Sequence, residues 1–255
     1  MRTWLVFASV LLCNSEAFAL SNITIMADSS TSLAVSKLAR EYARIQNVGV
    51  STSFIEPRMQ AEQILEGSSA DILITPDAKW IESLQNQGLI DVHSKVEFGR
   101  GRMALVGSEN TTLTMKLTNN FMVAPLVHAM GDQPGLMVGN PEYIPVGKYA
   151  KEALRSLGAL DVLEPYTLYL KSTDEMVEQV TKHDGYGVFP YGEALLMEHA
   201  KIIDVFPETT HSPLIYYAVV IAGENMEEAR KFMKFLATGA AKNTIRSSGL
   251  SSSAI

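Results

Sequence analysis

Ile23-Thr24-Ile25-Met26-Ala27-Asp28-Ser29-Ser30-Thr31 opens as an apolar run and breaks into an acid followed by three hydroxyls. Behind the break, Val35, Leu38, Tyr42 and Ile45 fall at helical spacing and predict one buried stripe. The stretch therefore reads as strand, polar turn, helix. Residues 48–54 alternate as a strand does. Pro57 suits the first turn of a helix reaching about Glu66, and Gly67 suits its C-terminal cap. Residues 71–74 make a compact apolar strand. Asp77 is placed to cap a third helix, which carries Trp80, Ile81 and Leu84 and ends near Gly88. Strand and helix alternating three times imply right-handed crossovers and a parallel sheet.

A second alternating set follows. Residues 103–106 and 135–138 read as strands, and the polar stretch 110–120 between them predicts no clear element. Gly139-Asn140-Pro141-Glu142 is a turn. Residues 147–157 form a helix with Ala150, Ala153, Leu154 and Leu157 inward. Thr173 or Asp174 is expected to cap a helix running to about His183. A short strand at 187–189, a short helix at 193–199 and strands at 202–206 and 214–221 come next. Helices at 226–236 and 240–246 close the chain. With no fixed repeat and no low-complexity linker, two α/β lobes joined by strands fit this pattern better than one very wide sheet.

Upstream of the first strand, Arg2 precedes an apolar run at 4–12 that is too short to span a bilayer. Ala17-Phe18-Ala19 offers small residues around a cleavage point. Residues 1–19 are thus expected to be a secretory signal peptide. Cys13, the single cysteine of the 255 residues, would leave with it, so no disulfide is expected in the mature chain. Net charge is −7 with no basic block, which argues against nucleic-acid binding. The five histidines are scattered without metal-ligand spacing, so no protein-ligated cation is expected. Neither G-x-S-x-G nor a phosphate loop is present, so no enzyme is expected. Tyr216-Tyr217, inside an apolar strand, reads as core or hinge packing.

Ser29-Ser30-Thr31 remains as the candidate site. Hydroxyls at a helix start stand where free N–H groups point outward and negative charge is favoured. Simple helix capping by one serine is the plainer reading of the same residues.

Three longer stretches carry a resemblance. Residues 23–30, Ala70-Asp71-Ile72-Leu73-Ile74-Thr75-Pro76-Asp77-Ala78-Lys79-Trp80, and above all Gly139-Asn140-Pro141-Glu142-Tyr143-Ile144-Pro145-Val146-Gly147-Lys148-Tyr149-Ala150-Lys151-Glu152-Ala153-Leu154 resemble the periplasmic molybdate-binding proteins. The last stretch is similar to that family's G-D-P-x-x-x-P-A-G-x-Y-A-K-E-A-L almost throughout. The resemblance implies a two-lobed type II periplasmic-binding-protein fold. Residues 20–102 and 211–255 would form lobe one and residues 103–210 lobe two. Hinge strands are expected near residues 102–106 and 214–219.

The resemblance also places a site. Ser29 matches the family's first-loop serine, with the Ser30 backbone beside it. Val146 and Met176 fall at positions giving backbone N–H groups. Tyr191 matches a tyrosine whose hydroxyl donates to the anion, with Pro190 beside it as an extra residue. The family's second serine loop falls on Glu56-Pro57-Arg58, where both serines are missing. Arg58 is either a charged replacement donor or a solvated residue at a helix start. The implied function is capture of an oxyanion, molybdate or tungstate, through its oxygens and without a cofactor. A monomer in the periplasm would hand it to an ABC-transporter permease in the inner membrane. The altered loop keeps two alternatives open: another small anion such as a carboxylate, or a ligand-sensing accessory protein.

Overall fold

A computed structural model describes residues 22–118, 121–131, 135–144 and 146–251. The expected signal peptide, and Cys13 within it, lie outside the described residues, as does Pro145 of the quoted stretch.

The first part of the chain runs β1 (Asn22–Ala27), a 3-10 turn (Ser29–Thr31), α1 (Ser32–Gln46), β2 (Gly49–Phe54), α2 (Pro57–Leu65), β3 (Ile72–Thr75), α3 (Ala78–Asn86) and β4 (Ile90–Gly101). The second part runs β5 (Met103–Ser108), α4 (Ala124–Met130), β6 (Leu136–Gly139), α5 (Gly147–Ser156), α6 (Leu160–Leu163), β7 (Thr167–Leu170), α7 (Thr173–Lys182), β8 (Tyr186–Pro190), α8 (Tyr191–Ala194) and β9 (Ala200–Val205). The chain ends with β10 (Leu214–Ile221), α9 (Met226–Leu236) and α10 (Gly239–Ser247).

Two five-stranded sheets result, ordered β2-β1-β3-β10-β4 and β7-β6-β8-β5-β9. Each has a parallel trio, β2-β1-β3 or β7-β6-β8, flanked by antiparallel strands. The expected parallel sheets are therefore mixed: β10 and β4 finish the first, β5 and β9 the second. The chain passes from one sheet to the other at Arg102 and again at residues 206–213. The expected hinge strands thus meet the crossings only at their ends, since β5 lies wholly in the second sheet and β10 wholly in the first. At the return crossing, Glu152 of α5 accepts hydrogen bonds from the Ser212 N–H (2.7 Å) and hydroxyl (2.6 Å).

Local chemistry explains most boundaries. The Asp77 carboxylate caps α3 by accepting from the N–H groups of Lys79 (2.9 Å) and Trp80 (3.3 Å). Pro57 opens α2 at its first position, where a missing N–H is harmless. Gly67, with φ of 90°, supplies the left-handed turn after it. Ser172, not Thr173 or Asp174, is the residue preceding α7, and its side chain makes no capping bond. Val35, Leu38 and Tyr42 are buried as their spacing predicts, but Ile45, in the last turn of α1, is 50% exposed. Ala150, Ala153, Leu154 and Leu157 are all buried.

Candidate functional site

Helices follow the parallel strands, so helix N-termini gather at the strands' C-terminal edges. The two sheets turn those edges toward each other. A cavity of about 30 Å³ lies between them, lined by Asp28, Ser29 and Ser30 after β1, Glu56 and Pro57 after β2, Ile144 and Val146 before α5, Thr173 of α7, and Pro190 and Glu193 at α8. Four helices of nine residues or more (α1 through its leading turn, α2, α5 and α7) thus begin at one point. First-turn N–H groups have no acceptor within their own helix, and the helix dipole adds positive potential there. The open α/β rule places ligands at this edge. Gly147 lets α5 start this close: a Cβ there would come within 1.9 Å of the Gly139 carbonyl oxygen.

Two further hollows adjoin the cavity. Met103, Met176, Val188 and Phe189 line an apolar one of about 10 Å³ that shares Ile144, Val146, Thr173, Pro190 and Glu193. A larger chamber of about 450 Å³ opens on the far side of Val146, between Pro76–Lys79, Pro213, Ile215 and Tyr217 on one side and Pro141, Lys148 and Tyr149 on the other.

Three carboxyl groups set the electrostatics. Asp28 is buried, and its Oδ1 accepts from the Ser30 N–H (3.0 Å) and the Ser30 hydroxyl. Ser30 Oγ in turn lies 2.6 Å from the Tyr216 hydroxyl, completing a phenol–serine–carboxyl chain. Burial pushes the Asp28 carboxyl up to about 6, against the lowering effect of the Ser30 bonds. Burial first, and then the charges of Asp28, Glu56 and Asp174, push Glu193 up to about 8. Burial also raises Glu56, which accepts a long hydrogen bond (3.4 Å) from the Thr173 hydroxyl across the gap between the sheets. Tyr216 is raised well above its ordinary value by burial and by Asp28, so its phenol stays protonated as a donor. Among the described residues, no group of three or more His, Cys, Asp or Glu side chains is placed to hold a metal ion.

The structure brings together Ser29, Ser30 and Val146 of the expected site, and puts Met176 in the adjoining hollow. Two of the expected residues stand apart from the cavity. Arg58 points to solvent, its side chain 77% exposed and paired with Glu62 at 2.8 Å along α2. The first turn of a helix started by Pro57 carries the residue after the proline outward. Tyr191 does not line the cavity. Pro190 takes that place as the last residue of β8, and the Tyr191 ring lies instead under the Arg102 guanidinium at 4.8 Å. Asp28 and Glu193 were not predicted. The signal for Asp28 was an acid immediately ahead of three hydroxyls; nothing local marks Glu193. Tyr216, expected to pack, is buried and also bonds into the site.

Comparison with known proteins agrees with this architecture. The profile described as "Bacterial extracellular solute-binding protein" matches residues 23–251. A molybdate-binding protein of Haemophilus influenzae is 27% identical over 235 residues, covering 91% of this chain and 90% of its own. One from Escherichia coli is 28% identical over 219 residues, covering 84% and 82%. The solved periplasmic molybdate-binding protein of Azotobacter vinelandii superposes with a TM-score of 0.74 at 19% identity, over 91% of this chain and 100% of that one. These relatives are solute-binding proteins, not enzymes. Two sheets facing each other across a helix-lined cavity, and a profile match along nearly the whole described chain, place it: the chain belongs to the bacterial extracellular solute-binding protein family.

Proposed function

We propose that this protein captures a small oxyanion of the molybdate or tungstate kind between its two lobes, residues 20–102 with 211–255 and residues 103–210, and delivers it from the periplasm to an ABC-transporter permease. The observation carrying this reading is the convergence of four helix N-termini on one cavity. Main-chain N–H groups bind a dehydrated anion without a counter-cation, and hydrogen bonds to a charged group are worth about 1.5–3 kcal/mol each. The names of the two sequence relatives point to the same ligand class. Ser29, Val146 and the first turn of α7 supply the donors.

A second reading, a small organic anion such as a carboxylate, is favoured by one feature. The 450 Å³ chamber beside the cavity has room for more than a tetrahedral oxyanion, and Lys79 and Lys148 stand along it. Thermal unfolding with molybdate, tungstate, sulfate, phosphate and a panel of carboxylates separates the two. A ligand at a hundred times its Kd stabilises by about 2.7 kcal/mol. Stabilisation by molybdate or tungstate supports the first reading. Stabilisation by carboxylates alone replaces it with the second. No response to any anion removes both.

A further inference from the structure

The cavity read above as an anion site is lined by acids. Asp28, Glu56 and Glu193 come from three separate segments, and no Lys, Arg or His stands with them among the described lining residues. Arg58, next in the chain to the lining residue Pro57, faces solvent. Glu56 is bonded to Thr173, and Asp28 to Ser30. The Glu193 carboxyl takes part in no hydrogen bond or ion pair among the described residues, and it feels the charges of Asp28, Glu56 and Asp174. Tyr216 completes the titratable groups around them, and it remains a neutral phenol.

An ionised carboxylate only accepts hydrogen bonds. A fully deprotonated tetrahedral oxyanion likewise only accepts. Set face to face they repel, and a proton between them is what turns the contact into a charge-assisted hydrogen bond. Meanwhile the four helix N-termini attract the anion. Both sets of groups are satisfied together only when a proton stands between the anion and the carboxyls, and where the carboxyls are ionised that proton must come with the anion. Resting on the oxyanion reading of this cavity, we infer that the receptor takes up its anion together with a proton from solvent, shared between the ligand and the carboxyl groups of Glu193 and Asp28. The two carboxyls thereby act as specificity-determining, pH-sensing groups of the site.

Burial of the two carboxyls gives the direction. Asp28 stands at about 6 and Glu193 at about 8, and an added anion moves both further up. Below about pH 6 both groups already carry protons, so affinity is flat with pH. Between about 6 and 8, binding draws in up to one proton, at Asp28. Above about 8 it draws in up to two.

The test is calorimetric titration with molybdate and with sulfate, neither of which titrates near neutral pH, from about pH 5.5 to about pH 9. Two buffers of different ionisation heat report the protons taken up. The expected result is an affinity that weakens by about tenfold per pH unit for each linked proton, with measurable proton uptake at about pH 7.5. Glu193→Gln, which supplies a permanent donor, removes the extra slope above about pH 8. Asp28→Asn removes the slope between about 6 and 8. If either variant fails to fold, the proton count of the unaltered protein decides the matter alone. Oxyanion binding with a constant Kd and no proton uptake overturns the coupling and leaves the oxyanion reading standing. No binding of either anion even at about pH 5.5 overturns the oxyanion reading, and the coupling with it.

Discussion

Asp28 stands where β1 turns into the first helix, and its neighbours decide what it does there. A carboxyl at a helix start is favoured by the dipole, and the Ser30 bonds hold it in place. Those bonds also use the hydroxyl that sequence reasoning would leave free for a ligand. Tyr216→Phe removes the phenol from this chain while keeping the ring packed. Chemical denaturation is expected to show a loss of about 0.5–1.5 kcal/mol, the worth of one buried hydrogen bond, and no loss would mean that the phenol is idle. Arg58→Ser and Tyr191→Phe test the placement of these two residues outside the cavity. Both are expected to leave anion affinity unchanged in calorimetric titration, because neither side chain lines the cavity. A weakened affinity in either variant would return that residue to the site. Why Arg58 and Tyr191 misled is plain in physical terms. A residue type capable of anion binding says nothing about the direction of its Cα–Cβ bond, and one residue more or less ahead of a helix start turns a side chain to another face.

At the scale of elements, the longer helices announced themselves and two strands did not. The stripes of α1 and α5 and the caps at Asp77 and Gly67 were readable because helix periodicity and capping are local. β4 was missed although it is twelve residues long. It lies at the edge of its sheet, and its middle, Val92-His93-Ser94-Lys95-Val96-Glu97, is largely exposed and polar, so no alternation marks it. β7, four residues at an edge of the other sheet, and α4, seven residues that follow the polar stretch, are too short to carry a pattern of their own. α8 is an element whose position matters more than its length. It carries Gly192 against the turn that precedes α1, and a Cβ at Gly192 would stand 2.5 Å from the Ser30 carbonyl oxygen. Gly192→Ala is expected to force α8 away from that turn and so to disfavour the closed arrangement of the two sheets. An overpacking cost of about 1–3 kcal/mol corresponds to roughly a fivefold to hundredfold loss of ligand affinity. Calorimetry and the radius of gyration from X-ray scattering both read this out; an unchanged affinity and radius would mean that the contact yields without consequence.

For the whole molecule, two raised carboxyls, the buried Asp28 and the half-buried Glu193, make stability depend on pH. Asp28 at about 6 and Glu193 at about 8 lie above their ordinary values of 3.8 and 4.5. The folded chain therefore keeps protons that the unfolded chain releases, and stability falls as pH rises from about 4.5 toward 8. The change is on the order of a few kcal/mol, so the Tm of the ligand-free protein is expected to rise as pH is lowered from about 8.5 to about 6. A flat or opposite trend in thermal scans would show that the two groups titrate normally. Asp91, held low by its hydrogen bond to Arg230, works in reverse, and its contribution is lost only below about 3.8. The amino-acid sequence by itself determined the alternation of strands and helices, the two-lobed class and the hydroxyl turn after the first strand. The alternation and the turn follow from periodicity, capping and turn chemistry over a dozen residues or fewer, and the two-lobed class from the order of those elements along the chain together with the family resemblance. Tertiary structure alone decided that α8 brings Glu193 to Asp28 and Glu56, that Tyr216 reaches Ser30 across 186 positions, and that Arg58 and Tyr191 face elsewhere. The cavity is assembled from five separate strand-to-helix junctions in two sheets, and which side chains meet there is fixed by packing between segments that are remote in sequence.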